Sequence, residues 1–186
     1  MKSLYYFGFI FLLTYCGSKK ELDELMNKGS DMIKIGDYKG AIENFNKVIE
    51  NKPTLDRAYV KRGQAKSELG DLEGAIADYT KAIEIEPSYL AAFYNRAVSK
   101  SELKDYQGAI DDYTQVIFLE PENLRGYYGR GIAREKSQDL NGALNDLTKS
   151  IEIDSLHSDS YFGRGFVKSK LLDFFGAIQD YNKSIE

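Results

Sequence analysis

The sequence predicts an all-α fold, a solenoid of stacked helical hairpins, on three observations. A Gly-Ala pair recurs every 34 residues without insertion, at Gly40-Ala41, Gly74-Ala75, Gly108-Ala109, Gly142-Ala143 and Gly176-Ala177. Apolar side chains around each pair follow three- and four-residue steps, which is the spacing of amphipathic helices. Prolines close the first three units at the same interval, as Pro53, Pro87 and Pro121. Because a hairpin of this size cannot bury its apolar stripe alone, neighbouring units are expected to stack.

The first segment is predicted to be a leader and not part of the repeat array. Leu4 to Tyr15 form a run of 12 residues that is apolar except for Gly8 and Thr14. The run is shorter than the roughly 20 residues that cross a bilayer, but it suits the apolar region of an export signal. We therefore predict a signal peptide over residues 1–15.

The end of this run resembles the lipobox of bacterial lipoproteins. The residues that carry the resemblance are Leu13-Thr14-Tyr15-Cys16, with Tyr15 where that family prefers a small residue. The resemblance implies that Cys16, the one cysteine of the chain, is lipidated and that residues 16–21 form a short tether. It also implies an exported protein of the bacterial cell envelope, anchored at the periplasmic face or in the outer membrane. A plain signal peptide, giving a secreted or soluble periplasmic protein, and a misassigned start codon remain as alternatives.

The rest of the chain divides into five repeats, 22–55, 56–89, 90–123, 124–157 and 158–186, of which the last is shorter and lacks the proline. In the second repeat, Tyr59 and Gly63 lie at helical spacing on a first helix, and Ala75 lies on a second. Between the helices, Gly70 can end the first in a left-handed conformation and Asp71 can cap the second. The aspartate recurs in every repeat, at Asp37, Asp71, Asp105, Asp139 and Asp173. The small residues are expected to let the two helices approach closely.

This pattern resembles the tetratricopeptide repeat family, in a variant with the core Gly74-Ala75-Ile76-Ala77-Asp78-Tyr79. The resemblance covers residues 22–186. It implies a non-catalytic scaffold in which the first helices of the repeats form a concave groove that holds an extended or helical peptide of a partner protein. The clamp with which some members bind the acidic tails of chaperones is not expected, because Met26 and Ser30 stand at its first positions.

Groove residues are predicted as those on each first helix that avoid the packing stripe. They are Arg57, Lys61, Gln64, Tyr94, Asn95, Val98, Arg125, Tyr128, Ile132, Phe162 and Phe166. The first of these are polar, whereas the later ones form an aromatic trough beside Gly129 and Gly163, which are expected to leave space for a partner's apolar side chains. The alternative is that these rings only pack between adjacent first helices.

Composition argues against most catalytic sites. The chain has 186 residues, a net charge of -4, one cysteine and one histidine. Zinc sites and cysteine–histidine nucleophile pairs need more of both residue types, and there is no basic excess for nucleic acid. His157 is predicted to face solvent in a turn, and Asp112 to lie with Asp78, Asp146 and Asp180 on a polar helix face. We predict a protein that is not an enzyme, with no cofactor, no metal and no nucleic-acid partner.

Two functional classes remain open. One is a membrane-tethered adaptor that holds a protein or peptide partner of unknown identity in its groove. The other is an assembly element that self-associates, or stacks on another chain, through the end of the array. The second rests on Ile178, Tyr181 and Ile185, which lie on a helix without a successor in this sequence. The two classes differ in whether groove or end substitutions abolish complex formation.

Overall fold

The structure is a computed structural model that describes the backbone from residue 3 and the side chains of residues 19–186. Its helices are α1 (Ser3–Lys34), α2 (Tyr38–Asn51), α3 (Asp56–Glu68), α4 (Leu72–Ile85), α5 (Leu90–Glu102), α6 (Tyr106–Leu119), α7 (Leu124–Lys136), α8 (Leu140–Ile153), α9 (Ser158–Lys170) and α10 (Phe174–Ile185). None of the helices in the described residues combines the length and the apolar character needed to cross a bilayer. The predicted signal peptide and Cys16 lie outside the residues whose side chains are described.

The helices pair in chain order as hairpins, from α1 with α2 to α9 with α10. The chain divides into an N-terminal body, Met1–Glu86, which holds α1 to α4, and a C-terminal body, Pro87–Glu186, which holds α5 to α10. Within the bodies, successive hairpins pack through α2 against α3, α6 against α7 and α8 against α9. The prediction of an all-α fold of paired helices is confirmed.

The turn inside each hairpin has the predicted capping arrangement. The Asp71 carboxylate accepts a hydrogen bond from the Gly74 amide at 3.0 Å, and its counterparts in the other repeats do the same at 2.9–3.0 Å. The cap also explains the glycine of the Gly-Ala pair, because a Cβ at Gly74 would lie 2.2 Å from the Asp71 carboxylate. The recurrent glycine and aspartate are therefore two parts of one N-cap.

Close approach of the paired helices is confirmed where it was predicted. A Cβ at Gly63 would lie 2.7 Å from the Tyr79 ring, which packs directly on the glycine backbone. Gly29 meets Phe45 in the same way in the first repeat, and Gly165 meets Tyr181 in the fifth. One large side chain on the second helix thus fills the space that the glycine leaves on the first.

The core is distributed along the bodies as one apolar cluster per junction. In the N-terminal body, Ala58 and Ala65 of α3 lie in one cluster with Phe45 and Val48 of α2. In the C-terminal body, Ala133 of α7 joins the cluster around Tyr113, and Val167 of α9 joins the cluster around Leu147. The first helices α3, α7 and α9 therefore bury small side chains against the hairpins before them.

Candidate functional site

The aspartates that were predicted to lie on a polar helix face are buried, and that prediction is wrong. The Asp78 side chain is 5% exposed and accepts two hydrogen bonds from Arg62, at 2.9 and 2.6 Å. Lys66 lies 2.9 Å from the same carboxylate. A carboxylate with two cations around it satisfies its lone pairs and offsets the cost of burial.

The same triad recurs in the later repeats as Arg96, Lys100 and Asp112, as Arg130, Arg134 and Asp146, and as Arg164, Lys168 and Asp180. In each of the four repeats with a triad, a ring near the start of the first helix stacks on the guanidinium. Arg62 lies 5.5 Å from the Tyr59 ring centroid, and Arg130 lies 5.6 Å from that of Tyr127. The aromatic column therefore holds the arginine in place as well as filling space.

Some of these arginines also reach the preceding repeat. Arg62 donates to the Asn46 side chain at 2.7 Å, and Arg130 donates to Thr114 at 3.1 Å. The hydrogen bond to Asp78 raises the pKa of Arg62 above its ordinary value, against the opposing effect of burial. The triads are consequently structural links between helices and between hairpins, and their charges are not free to bind a ligand.

The candidate site is a pocket of about 320 Å³ in the C-terminal body, between α5, α6 and α7. It lies within the lower part of the size range of ligand pockets, and its walls are mainly apolar. Four of the predicted groove residues line it, namely Tyr94, Val98, Tyr128 and Ile132. The structure adds lining residues that the sequence analysis did not select, among them Tyr106, Tyr113, Glu102 and Lys136.

Tyr113 is the most deeply buried of the tyrosines that line the pocket. It is 4% exposed, and its ring meets that of Tyr94 edge-on at 5.9 Å. Burial, followed by the nearby Tyr94, raises the pKa of the Tyr113 hydroxyl far above its ordinary value, so the hydroxyl stays neutral. The sequence analysis did not select Tyr113 because its position in the repeat is that of a core ring. Only the packing of α7 opens a space beside the ring.

The glycines do not leave the space that was predicted. A Cβ at Gly129 would lie 2.5 Å from the Tyr113 ring, and one at Gly163 would lie 3.3 Å from Ile132 and Leu147. Side chains of the protein itself therefore fill the volume beside both glycines. Gly129 lines the pocket only as backbone packed on Tyr113.

His157 was predicted to face solvent, but the side chain is half-buried. It is the N-cap of α9, and its Nδ1 accepts from the Ser160 amide at 3.2 Å. The Ser160 hydroxyl lies 2.7 Å from Nδ1 and 2.6 Å from the Ser150 hydroxyl. The imidazole meets the Tyr128 ring edge-on at 5.3 Å, so the turn after α8 supports one wall of the pocket.

The remaining predicted groove residues lie away from this pocket's lining. Phe162 and Phe166 of α9 are 58% and 40% exposed, and Lys170 lies 4.9 Å from the Phe166 ring centroid. Asn95 is half-buried, and Arg125 is exposed. The other three lie on α3 of the N-terminal body, where Lys61 and Gln64 are half-buried and Arg57 pairs with Asp23 at 3.6 Å.

The pocket lining suits a ligand that has an apolar side chain and a polar group beside it. Val98, Ile132 and the tyrosine rings offer apolar surface, while Glu102 and Lys136 add one charge of each sign. Among residues 19–186, no cluster of three or more histidine, cysteine or carboxylate side chains is arranged to hold a metal ion. The lining therefore combines apolar surface with one charge of each sign.

Two family models match the chain, one for the TPR repeat over residues 66–103 and one for the tetratricopeptide repeat over residues 91–118. No curated protein matches it.

Solved structures share the fold at low sequence identity. MamA from Desulfovibrio magneticus RS-1 is 19% identical over 89% of this chain and 93% of its own, with a TM-score of 0.84. YrrB, described as a TPR protein with an unusual peptide-binding site, is 16% identical over 90% of each chain, with a TM-score of 0.76. A tetratricopeptide repeat protein from Parabacteroides merdae is 22% identical over 89% of this chain and 66% of its own, with a TM-score of 0.81.

These structures confirm the predicted fold class, an α-solenoid of helix-turn-helix repeats. Residues 66–118 thus match models of the tetratricopeptide repeat, and the chain shares its fold with solved structures of proteins that contain this repeat.

Proposed function

We propose that the protein is a non-catalytic interaction scaffold that binds a peptide or exposed segment of a partner protein, and that it does so while tethered to a bacterial membrane. The observation that carries the binding proposal is the pocket between α5, α6 and α7. Its ~320 Å³ admit one large apolar side chain, and Tyr94, Tyr128 and Ile132 would contact that side chain on several sides.

The similarity to YrrB supports a peptide as the ligand, since that protein is described as having a peptide-binding site. The pocket is bounded by two first helices, α5 and α7, which are the helices that the family resemblance assigns to the groove. Phe162 and Phe166 of α9 add two exposed rings, which with Tyr94 and Tyr128 make up an aromatic surface. We propose that this aromatic surface binds the apolar residues of the partner and that Glu102 and Lys136 bind its polar groups.

Tethering is supported by the sequence at Cys16 and by the export-type run before it. A lipid on Cys16 would place the repeats at the membrane surface, connected through residues 17–21. The partner is then a protein that reaches the same surface in the cell envelope.

The binding proposal is tested with Tyr128→Ala. Peptides selected from a random library against the unaltered protein are titrated against the variant by calorimetry. Loss of one central interface ring typically costs about 2 kcal/mol or more, on the order of thirtyfold in affinity. Tyr128 also packs against Leu147 and Val167, so the variant should lower the free energy of unfolding by about 2–3 kcal/mol, and the titration is made at a temperature where circular dichroism shows it folded.

Phe118→Ala is the matched control, because Phe118 lies on α6 outside the pocket lining and is 77% exposed. It should bind the selected peptides with unchanged affinity. Equal affinities for both variants and the unaltered protein would assign these rings to helix packing alone.

A further inference from the structure

His157 starts a chain of hydrogen bonds that runs into the core between α8 and α9. The imidazole Nδ1 lies 2.7 Å from the Ser160 hydroxyl, which lies 2.6 Å from the Ser150 hydroxyl. Both serines are fully buried. The earlier repeats have glycine or an apolar residue at these positions, namely Val48, Ala82 and Val116 for Ser150, and Met26, Ala58, Ala92 and Gly126 for Ser160. Stacking of the repeats therefore does not require this polar chain.

The same nitrogen of His157 caps α9. It accepts a hydrogen bond from the Ser160 amide at 3.2 Å, so Nδ1 carries no hydrogen in the capped state. The fourth repeat has Asn123 at this position, and its side chain accepts from the Gly126 amide at 2.8 Å. Asparagine and histidine thus make the same cap, but only the imidazole can gain a proton near neutral pH.

A proton on Nδ1 of His157 is incompatible with this cap. The hydroxyls of Ser150 and Ser160 can reverse their hydrogen bonds, because a hydroxyl both donates and accepts. The Ser160 amide can only donate, and it would lose its acceptor at a fully buried position, which is costly. A positive charge is also unfavourable at the start of a helix, where the helix dipole has its positive end. The protonated imidazole is therefore expected to leave the start of α9.

The elements packed around the imidazole also carry charged and titratable groups. On α7, burial and then the nearby Asp159 raise the pKa of the Tyr128 hydroxyl, so that it stays neutral, and Arg125 is exposed. On α8, Lys149 pairs with two glutamates. Asp154 of the turn and Asp159 of α9 would attract an imidazolium, but both are exposed, and solvent weakens that attraction. The buried amide at the start of α9 therefore decides which form of the imidazole the cap favours.

We propose that His157 is a positioning residue for Tyr128 in the pocket wall, and that protonation of His157 releases Tyr128 and weakens peptide binding in mildly acidic solution. The link is the edge-on contact of the two rings, whose centroids are 5.3 Å apart. When the imidazole leaves the helix start, the Tyr128 ring loses this support. The inference rests on the peptide binding proposed above and adds its regulation by pH. Histidine ordinarily changes its charge between about pH 5 and 8, and His157 is the one histidine of the chain.

The test is calorimetric titration of the full chain in detergent with a library-selected peptide that lacks histidine and has a blocked N-terminus. The dissociation constant should rise about fivefold between about pH 7.5 and 5.5, the factor that corresponds to the loss of one N-cap. His157→Asn is the matched variant, because it introduces the cap that Asn123 makes in the fourth repeat. It should bind as tightly as the unaltered protein at the higher pH and keep that affinity at the lower pH.

A second measurement needs no peptide. In NMR spectra of the full chain, nuclear Overhauser contacts between the rings of His157 and Tyr128 should be present at the higher pH and lost once the imidazole signals show protonation. Contacts that persist in the protonated form, unchanged or tighter binding at the lower pH, or an equal loss of affinity in His157→Asn would overturn the inference. If no peptide bound even at the higher pH, the proposed function would fail, and the ring contacts alone would decide whether His157 positions Tyr128.

Discussion

Each turn between paired helices has one residue in the left-handed region, and the identity of that residue changes along the array. The first two repeats place glycine there, and Gly36 and Gly70 both have a φ of 80°. The last three place Lys104, Gln138 and Leu172 in the same left-handed region, with φ of 63°, 70° and 67°. A side chain with a Cβ is strained in this conformation, whereas glycine is not. The later repeats therefore carry a local cost that the earlier ones avoid.

Replacing Gln138 with glycine should stabilise the protein. The free energy gained by relieving the left-handed strain is expected to exceed the entropic cost of the extra freedom that glycine gives the unfolded chain. The free energy of unfolding should therefore rise by about 1 kcal/mol. The measurement is urea unfolding followed by circular dichroism. Gln115→Gly, at an exposed position inside α6, is the control and should destabilise by roughly 0.5–1 kcal/mol. A loss of stability in Gln138→Gly would show that the turn does not store this strain.

At the scale of the elements, the ion pairs of each buried triad connect the two helices of a hairpin. In the fifth repeat, Arg164 donates to Asp180 at 2.8 and 2.7 Å, and Lys168 lies 2.8 Å from the same carboxylate. Burial alone would raise the pKa of Asp180, but the hydrogen bonds from Arg164 and Lys168 outweigh it and lower the pKa below its ordinary value. The first repeat replaces the aspartate with Asn44, which donates to the Gly40 carbonyl at 2.7 Å.

The lowered pKa of Asp180 makes stability depend on pH in a defined direction. The folded state favours the carboxylate, so its contribution is complete above the ordinary pKa of 3.8 and is lost as the pH falls through the lower folded value. Asp180→Asn leaves two cations without their partner and should cost about 3 kcal/mol at pH 7. The difference from the unaltered protein should narrow toward pH 2.

Urea unfolding at a series of pH values measures both effects. Asp111→Asn is the matched control, because Asp111 is exposed and neighbours the buried Asp112 in sequence. It should change the unfolding free energy little at any pH. A difference between Asp180→Asn and the unaltered protein that stays constant down to pH 2 would contradict the proposed charge coupling.

At the scale of the whole molecule, the proposed role depends on where the chain is held. If Cys16 is lipidated, the acyl chains are the main apolar anchor of the mature protein. Cys16→Ser should then move the protein from the membrane fraction to the soluble fraction of its cells. The measurement is fractionation followed by immunodetection, with intact-mass analysis of the unaltered protein. A mature chain with an unmodified Cys16, or one that begins elsewhere, would exclude the lipid anchor.

The sequence by itself determined the hairpins of the repeat array. The constant 34-residue period, the Asp71 cap, the left-handed Gly70 and the close approach of the paired helices at Gly63 are all local or within one hairpin. Such features depend on residues fewer than 20 positions apart, and the periodicity of one chain is enough to predict them. The predicted repeat boundaries and the lipidation of Cys16 stay predictions.

Only the tertiary structure decided which polar residues are buried and where a pocket opens. Asp112 was predicted to lie on a polar helix face because aspartate recurs in its column, and only the positions of Arg96 and Lys100 on the neighbouring helix show that it is buried with its charge compensated. Tyr113 lines the pocket because α7 packs against α5 and α6, and the space beside Gly129 is closed by that same ring. A repeat pattern fixes which side of a helix is apolar, but the volume left between hairpins depends on how all of their side chains pack together.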